Sequence, residues 1–178
     1  MALKDLTLEK HKEAESTPFM RAVFDGKLPK HLWTDWTFQK SLFYGTIEAI
    51  AELHDLLDDL PDIRRSIYLQ EDFIAMNQFK EILFYKESVT EYNTYLISIS
   101  DDAKKIMAHL YTWHMGDLFG GQMIKKIVPG SHKNLEFKDP KTLMTNIRAK
   151  LDDSMADEAN VAFSWAIKMM REYDKSLG

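Results

Sequence analysis

His11 and Glu15 stand four residues apart in a charged stretch, so a helix over residues 4–15 puts both on one face. A neutral imidazole so placed can bind iron through one ring nitrogen while its other N–H donates to the carboxylate, which fixes the ring and raises its basicity. Taken alone, the pair is as readily a solvated surface pair. Gly116, Gly120 and Gly121 form the second cluster, inside what reads as a helix from Asp101 to Ile127 in a chain with only seven glycines. Each glycine in a helix interior costs about 1 kcal/mol relative to alanine. Gly116 and Gly120 share a face, and their missing Cβ atoms would let a flat ligand touch backbone. On the residues alone, a close helix crossing or a break between two helices accounts for the glycines at least as well.

Other chemistries lack their residues. With no cysteine among 178 residues, disulfides, zinc–thiolate sites, iron–sulfur clusters, c-type haem attachment and cysteine nucleophiles are excluded together. None of the six histidines (11, 31, 54, 109, 114, 132) has a glutamate three residues before it, and H-E-x-x-H is absent, so di-iron bundle and zincin patterns fail. Serine-hydrolase, P-loop and dinucleotide-binding signatures are absent too. A net charge of −5 disfavours nucleic acid as the principal partner. The longest stretch free of Asp, Glu, Lys and Arg runs only from Ile106 to Gly116, too short for the roughly 20 apolar residues of a membrane span. No apolar signal run opens the chain, so the expected compartment is the cytoplasm, without a membrane anchor.

The elements that must carry these residues read as helices. Hydrophobic residues make up 45% and charged residues 29%, the balance of a chain that folds. From His31 to about Leu60, apolar residues recur three or four apart, which predicts one long helix with Gly45 inside it. The same period runs through Phe73, Met76, Phe79, Ile82 and Leu83, through Ile106, Leu110 and Trp113, and through Val161, Phe163, Trp165, Ile167 and Met170. Tyr92–Ser100 is rich in β-formers but has no partner strand, so it too is read as a helix. Pro18, Pro29 and Pro140 suit first helical positions. One all-α domain over residues 1–178 is the expectation.

Three separated segments resemble one family in register. They are His11-Lys-Glu-Ala-Glu15 leading to Pro18-Phe19-Met20-Arg21; Tyr111-Thr-Trp-His-Met-Gly116-Asp117-Leu-Phe-Gly120-Gly121-Gln122 continuing to Lys125-Lys126; and Glu158-Ala-Asn-Val-Ala-Phe163. Together they resemble haem oxygenase, over nearly the whole chain. The resemblance implies a helical bundle with haem b between a proximal helix carrying His11 and a glycine-kinked distal helix. It implies oxidation of haem, both cofactor and substrate, by O₂ and electrons to biliverdin, carbon monoxide and ferrous iron, with attack at the α meso carbon.

By residue matching, His11 is the axial iron ligand and Glu15 its support. Asp117 holds ordered water beside the reacting oxygen, while Gly116 and Gly120 lie over the porphyrin face. Lys4, Tyr111 and Arg148 meet the propionates, and Gly121 and Phe163 complete the haem site. Electrons are expected from ferredoxin docking near Lys125 and Lys126, with the protein a monomer. The chain departs from the family pattern at Phe119, where a small serine is usual. Trp113 and His114 replace an arginine and a tyrosine, Thr46 stands where a tyrosine often supports the water network, and Met144 replaces a basic residue. A non-catalytic haem binder or sensor, a thiaminase-like enzyme sharing only the fold, and a helical interaction protein without ligand are the competing readings.

Overall fold

Strong start and stop signals divide the chain into helices. The computed structural model describes residues 2–78 and 83–178, and every regular element among them is helical. The expected N-terminal helix is two pieces, α1 (Leu3–Leu6) and α2 (Leu8–Glu15), parted at Thr7, whose hydroxyl donates to the Leu3 carbonyl at 3.0 Å. Pro18 opens α3 (Pro18–Phe24), where its missing N–H costs nothing, and the Thr17 hydroxyl accepts from the Met20 N–H at 3.3 Å. Pro29 lies one residue earlier than expected, as the cap of α4 (Lys30–Leu53). That long helix ends before Leu60 because Asp55 takes a positive φ of 55°, yet Leu57 and Leu60 stay buried in the turns that follow.

Next come α5 (Ser66–Met76) and α6 (Glu87–Ser98), the latter covering most of the Tyr92–Ser100 stretch. Phe79 and Ile82, assigned to a helix with Phe73 and Met76 by periodicity, lie outside the described residues, and Leu83 is not helical. Asp102 caps α7 (Ala103–Leu110) by accepting from the Lys105 N–H at 3.0 Å. A π-helical turn over Tyr111–Met115 then joins α7 to α8 (Gly116–Ile124) without a break. The departure from α geometry therefore lies just before the glycines, and Gly116 itself is helical at φ −58°, ψ −42°. After α9 (Pro140–Ala149), again with proline first, come α10 (Ala156–Arg171) and α11 (Asp174–Leu177).

α4 runs through the centre, packed on α5, α6 and α7, while α10 lies across α2, α3, α6 and α7. Between them sits an aromatic core: the Phe43 ring centroid is 4.6 Å from Trp113, 5.4 Å from Tyr92 and 6.2 Å from Trp36. Burying one such ring contributes roughly 1.5–3 kcal/mol, which is what holds the π turn against α4.

Buried Asp72 fixes the segment behind α8. Its carboxylate accepts from the Lys133 and Asn134 N–H groups at 3.0 and 2.8 Å and from the Asn134 amide at 2.7 Å. Buried Arg65 donates to the Glu136 carbonyl at 2.6 Å and anchors the same segment. Leu135 is thereby held against α8, where the Gln122 amide donates to its carbonyl at 2.9 Å.

Candidate functional site

Of the residues singled out by type and spacing, His11 and Glu15 lie on α2, Gly116, Asp117, Gly120 and Gly121 on α8, and Lys4, Tyr111, Arg148 and Phe163 on α1, the π turn, α9 and α10 respectively. His11 lies on α2 with its side chain half exposed, Nε2 3.4 Å from Glu15 Oε1. That distance is longer than a hydrogen bond, so Glu15 faces the ring without locking it. Phe163 of α10 flanks the imidazole, ring centroids 5.6 Å apart.

Just beyond, Tyr111 is half-buried at the start of the π turn. Burial pushes its hydroxyl upward, against the Thr7 hydroxyl and the Arg148 charge, which pull it down. Tyr111 thus links the α1–α2 junction to α9. The Arg148 guanidinium carbon lies 5.5 Å from the Phe119 ring centre, a cation–π contact. Exposed Lys4 stands on α1, beside the same junction.

α8 has two faces. A Cβ built on Gly116 or Gly120 meets nothing within 4 Å, and Phe119 and Met123, on the same side, are 51% and 60% exposed. This is an open, apolar, low-relief surface of the sort a flat ligand can cover. Gly121, expected with that surface, faces the other way: its Cβ would come 2.9 Å from Leu135 Cδ2. The missing side chain there lets the Asp72-anchored segment pack close. Lys125, partly buried, and exposed Lys126 follow the carbonyl end of α8.

Asp117 shares the inner face with Gly121. Its Oδ1 accepts from Lys40 Nζ at 2.8 Å and its Oδ2 from the Tyr44 hydroxyl at 2.7 Å, both donors reaching across from α4. Burial, together with the charge and hydrogen bond of Asp117, raises the Tyr44 hydroxyl well above its ordinary range, so it stays protonated and donates. Neither Lys40 nor Tyr44 was singled out in the sequence. A signal for them exists: Lys40 interrupts the buried stripe of Trp33, Trp36, Phe43 and Ile47, and a lysine in such a register must find a partner.

Of the substituted positions, Trp113 and His114 turn inward. His114 Nε2 lies 3.0 Å from Glu48 Oε1, and the ring lies against Tyr44 at a tilt of 31° with centroids 4.6 Å apart. Glu48 also accepts from the Ser66 hydroxyl at 2.6 Å. Although burial pushes it upward, the bonds from His114 and Ser66 bring it below the usual carboxylate range. His114 is therefore a structural residue tied to α4. The Trp113 indole N–H donates to the Tyr92 hydroxyl at 3.0 Å, and that hydroxyl meets His109 Nδ1 at 2.6 Å. His109 Nε2 lies 2.8 Å from Glu158, which also accepts from Tyr95 at 2.5 Å. Burial lowers His109 despite Glu158, so the ring is neutral: Nε2–H donates to Glu158, and Nδ1 accepts from Tyr92. One chain of hydrogen bonds thus holds the π turn to the helix that carries Phe163.

The protein-family model described as "Heme oxygenase" matches residues 1–172. The heme oxygenase of Rhodella violacea is 24% identical over 99% of this chain and 87% of its own length. That of Porphyra purpurea is 26% identical over 98% and 86%. Among solved structures, heme oxygenase-1 of the cyanobacterium Synechocystis sp., in complex with heme, superposes with a TM-score of 0.83 at 22% identity, over 98% of this chain and 91% of that one. The heme oxygenase of Leptospira interrogans gives 0.81 at 24% identity, over 96% and 97%.

Proposed function

The chain belongs to the haem oxygenase family, whose general reaction is cleavage of haem to biliverdin, carbon monoxide and ferrous iron with O₂ as co-substrate, and on that footing we propose the residues that perform it here. The observation that carries the assignment is one of fit. A half-exposed histidine with a carboxylate at its back lies on one helix, and an apolar helical face opened by two glycines lies on another. Haem suits this pair of surfaces. Bound there, it supplies the iron at which O₂ is activated and the porphyrin that is oxidised.

His11 is the iron ligand. Glu15, 3.4 Å from the ring on the same helix face, is placed to orient the imidazole. Phe163 covers the ring edge and excludes water from that side. Lys4, Tyr111 and Arg148 receive the two propionates, a cation, a hydroxyl and a guanidinium being suited to carboxylates. Gly116 and Gly120 allow backbone to lie against the porphyrin face and leave space for O₂. Gly121 acts from behind by letting Leu135 support the helix.

Asp117 accepts from Lys40 and Tyr44 and retains lone pairs for water, since an ionised carboxylate offers about four acceptor sites. Water held there presents a proton toward the glycine face from a fixed direction. Attack at the α meso carbon, a ferredoxin donor docking at Lys125 and Lys126, a monomeric state and a cytoplasmic setting complete the proposal. Among the described residues no helix is long and apolar enough to cross a membrane.

The test is a titration of the purified protein and of His11→Ala with haem, followed by absorption. A histidine-ligated Soret band in the parent that is altered in the variant supports the ligand assignment; identical spectra overturn it. Comparing ferredoxin with a flavoprotein donor, and both with Lys125→Glu and Lys126→Glu, tests the electron route.

A further inference from the structure

Lys40 and Asp117 are distant in sequence and meet across α4 and α8 at 2.8 Å, with side chains only 10% and 9% exposed. Withdrawing a lysine and a carboxylate from water is costly, and excellent geometry is needed to offset it. The geometry here is of that kind. The Lys40 ammonium also lies 4.9 Å from the centre of the Tyr44 ring, and the Tyr44 hydroxyl takes the second Asp117 oxygen. Three side chains thus form one unit on the inner side of the helix whose outer side is the open glycine face. The pair falls on the turn bounded by Gly116 and Gly120.

We propose that Lys40 is a positioning residue for haem cleavage: by pairing with Asp117 it keeps that carboxylate charged and clamped, so that Asp117 and Tyr44 present a fixed polar cluster behind the glycine face. This deepens the reading above and rests on it. Among the described residues, the groups facing Asp117 from the elements packed on it are few. α4 presents Lys40 and Tyr44; Glu48 and His114, one step further, are paired with each other; the segment behind presents apolar Leu135. Lys40 is therefore the cation that balances the buried carboxylate. Without it, burial favours the protonated acid, which donates where the anion accepted.

The experiment reads that charge directly. Infrared spectra of the haem-free protein are recorded between pH 5 and 8 for the parent, Lys40→Met, Lys40→Arg and Lys40→Met/Asp117→Asn, with circular dichroism to confirm folding; Lys40→Gln replaces Lys40→Met if the latter does not fold. In difference spectra against Lys40→Met/Asp117→Asn, which cancel the bands of the other carboxyl groups, an added protonated-carboxyl C=O band that grows as pH falls in Lys40→Met and is missing from the parent and Lys40→Arg is the expected result. No such band in Lys40→Met, or the same band in the parent, overturns the proposal.

Turnover of the haem complexes supplies the second readout. Biliverdin yield in Lys40→Met should fall with falling pH across the range in which the band appears, while Lys40→Arg follows the parent. A loss equal at every pH marks a structural role alone and also overturns it. If the parent makes no biliverdin at all, the underlying reading of function fails instead, and the infrared band decides the role of Lys40 in setting the charge.

Discussion

The Lys40 ammonium and the Asp117 carboxylate form a nearly dry ion pair between the central helix and the inner face of the helix bearing Gly116 and Gly120. Breaking a buried pair from one side leaves an uncompensated charge and costs about 3–5 kcal/mol. Asp117→Ala should therefore lower Tm while His11 still binds haem, because the two residues lie on separate helices. Its haem complex should form little biliverdin. A variant with parental Tm and parental product yield would remove Asp117 from both roles.

The two kinds of glycine should respond differently to alanine. At Gly116 and Gly120 a methyl group meets open space, so each alanine should stabilise the helix by up to about 1 kcal/mol. At Gly121 the same gain is offset by the displacement of Leu135, and the net change should be close to zero. Gly120→Leu should fold normally yet weaken haem binding at least tenfold, about 1.4 kcal/mol. Undiminished haem affinity in Gly120→Leu would show that the face is not the ligand surface.

Phe119 is bulky and exposed on that face, and Arg148 lies over its ring. Phe119→Ser should free Arg148 and remove a wedge from one side of the porphyrin, shifting the proportions of biliverdin isomers. Chromatography against authentic isomers checks this, and an unchanged isomer pattern would confine Phe119 to packing.

Acid should destabilise the fold through His109 and Glu158. Burial holds His109 below its ordinary value, so as pH falls below about 6.5 the unfolded chain takes up a proton that the native state does not. Stability therefore falls with pH from there. Glu158 is pushed up by burial but brought below its ordinary value by the bonds from His109 and Tyr95; its contribution is present above about pH 4.5 and is lost as pH drops through the folded value. Tm should decline between pH 7 and 5, and His109→Gln should flatten that decline. An equal decline in the variant would place the acid sensitivity elsewhere.

Much of the fold was legible because its signals are local. Three-to-four periodicity marks α4 and α10, and Pro18 and Pro140 stand at the first helical positions they suit. The end of α4 was missed because Leu57 and Leu60 continue the buried pattern through turns, and only the positive φ of Asp55 reveals the stop. The π turn at Tyr111–Met115 adds one residue to a helix whose apolar pattern continues across it, so periodicity does not betray it.

At the candidate site, the His11–Glu15 pair is visible as an i,i+4 spacing. Asp117 stands out beside the glycines, but its partners do not, since Lys40 and Tyr44 come from another helix far away in sequence. Lys40 and Tyr44 of α4 between them donate to both Asp117 oxygens. Gly121 shows the opposite failing: three glycines close together look alike in sequence, and only packing shows that one faces Leu135.

The most direct measurement is a single-turnover reaction of the purified protein loaded with one equivalent of haem, given ferredoxin, its reductase, NADPH and O₂, and followed by absorption. Decay of the Soret band into biliverdin absorption, with release of carbon monoxide and ferrous iron, is the predicted result. A haem band that persists under competent reduction would contradict it and leave the chain a haem binder built on the same fold.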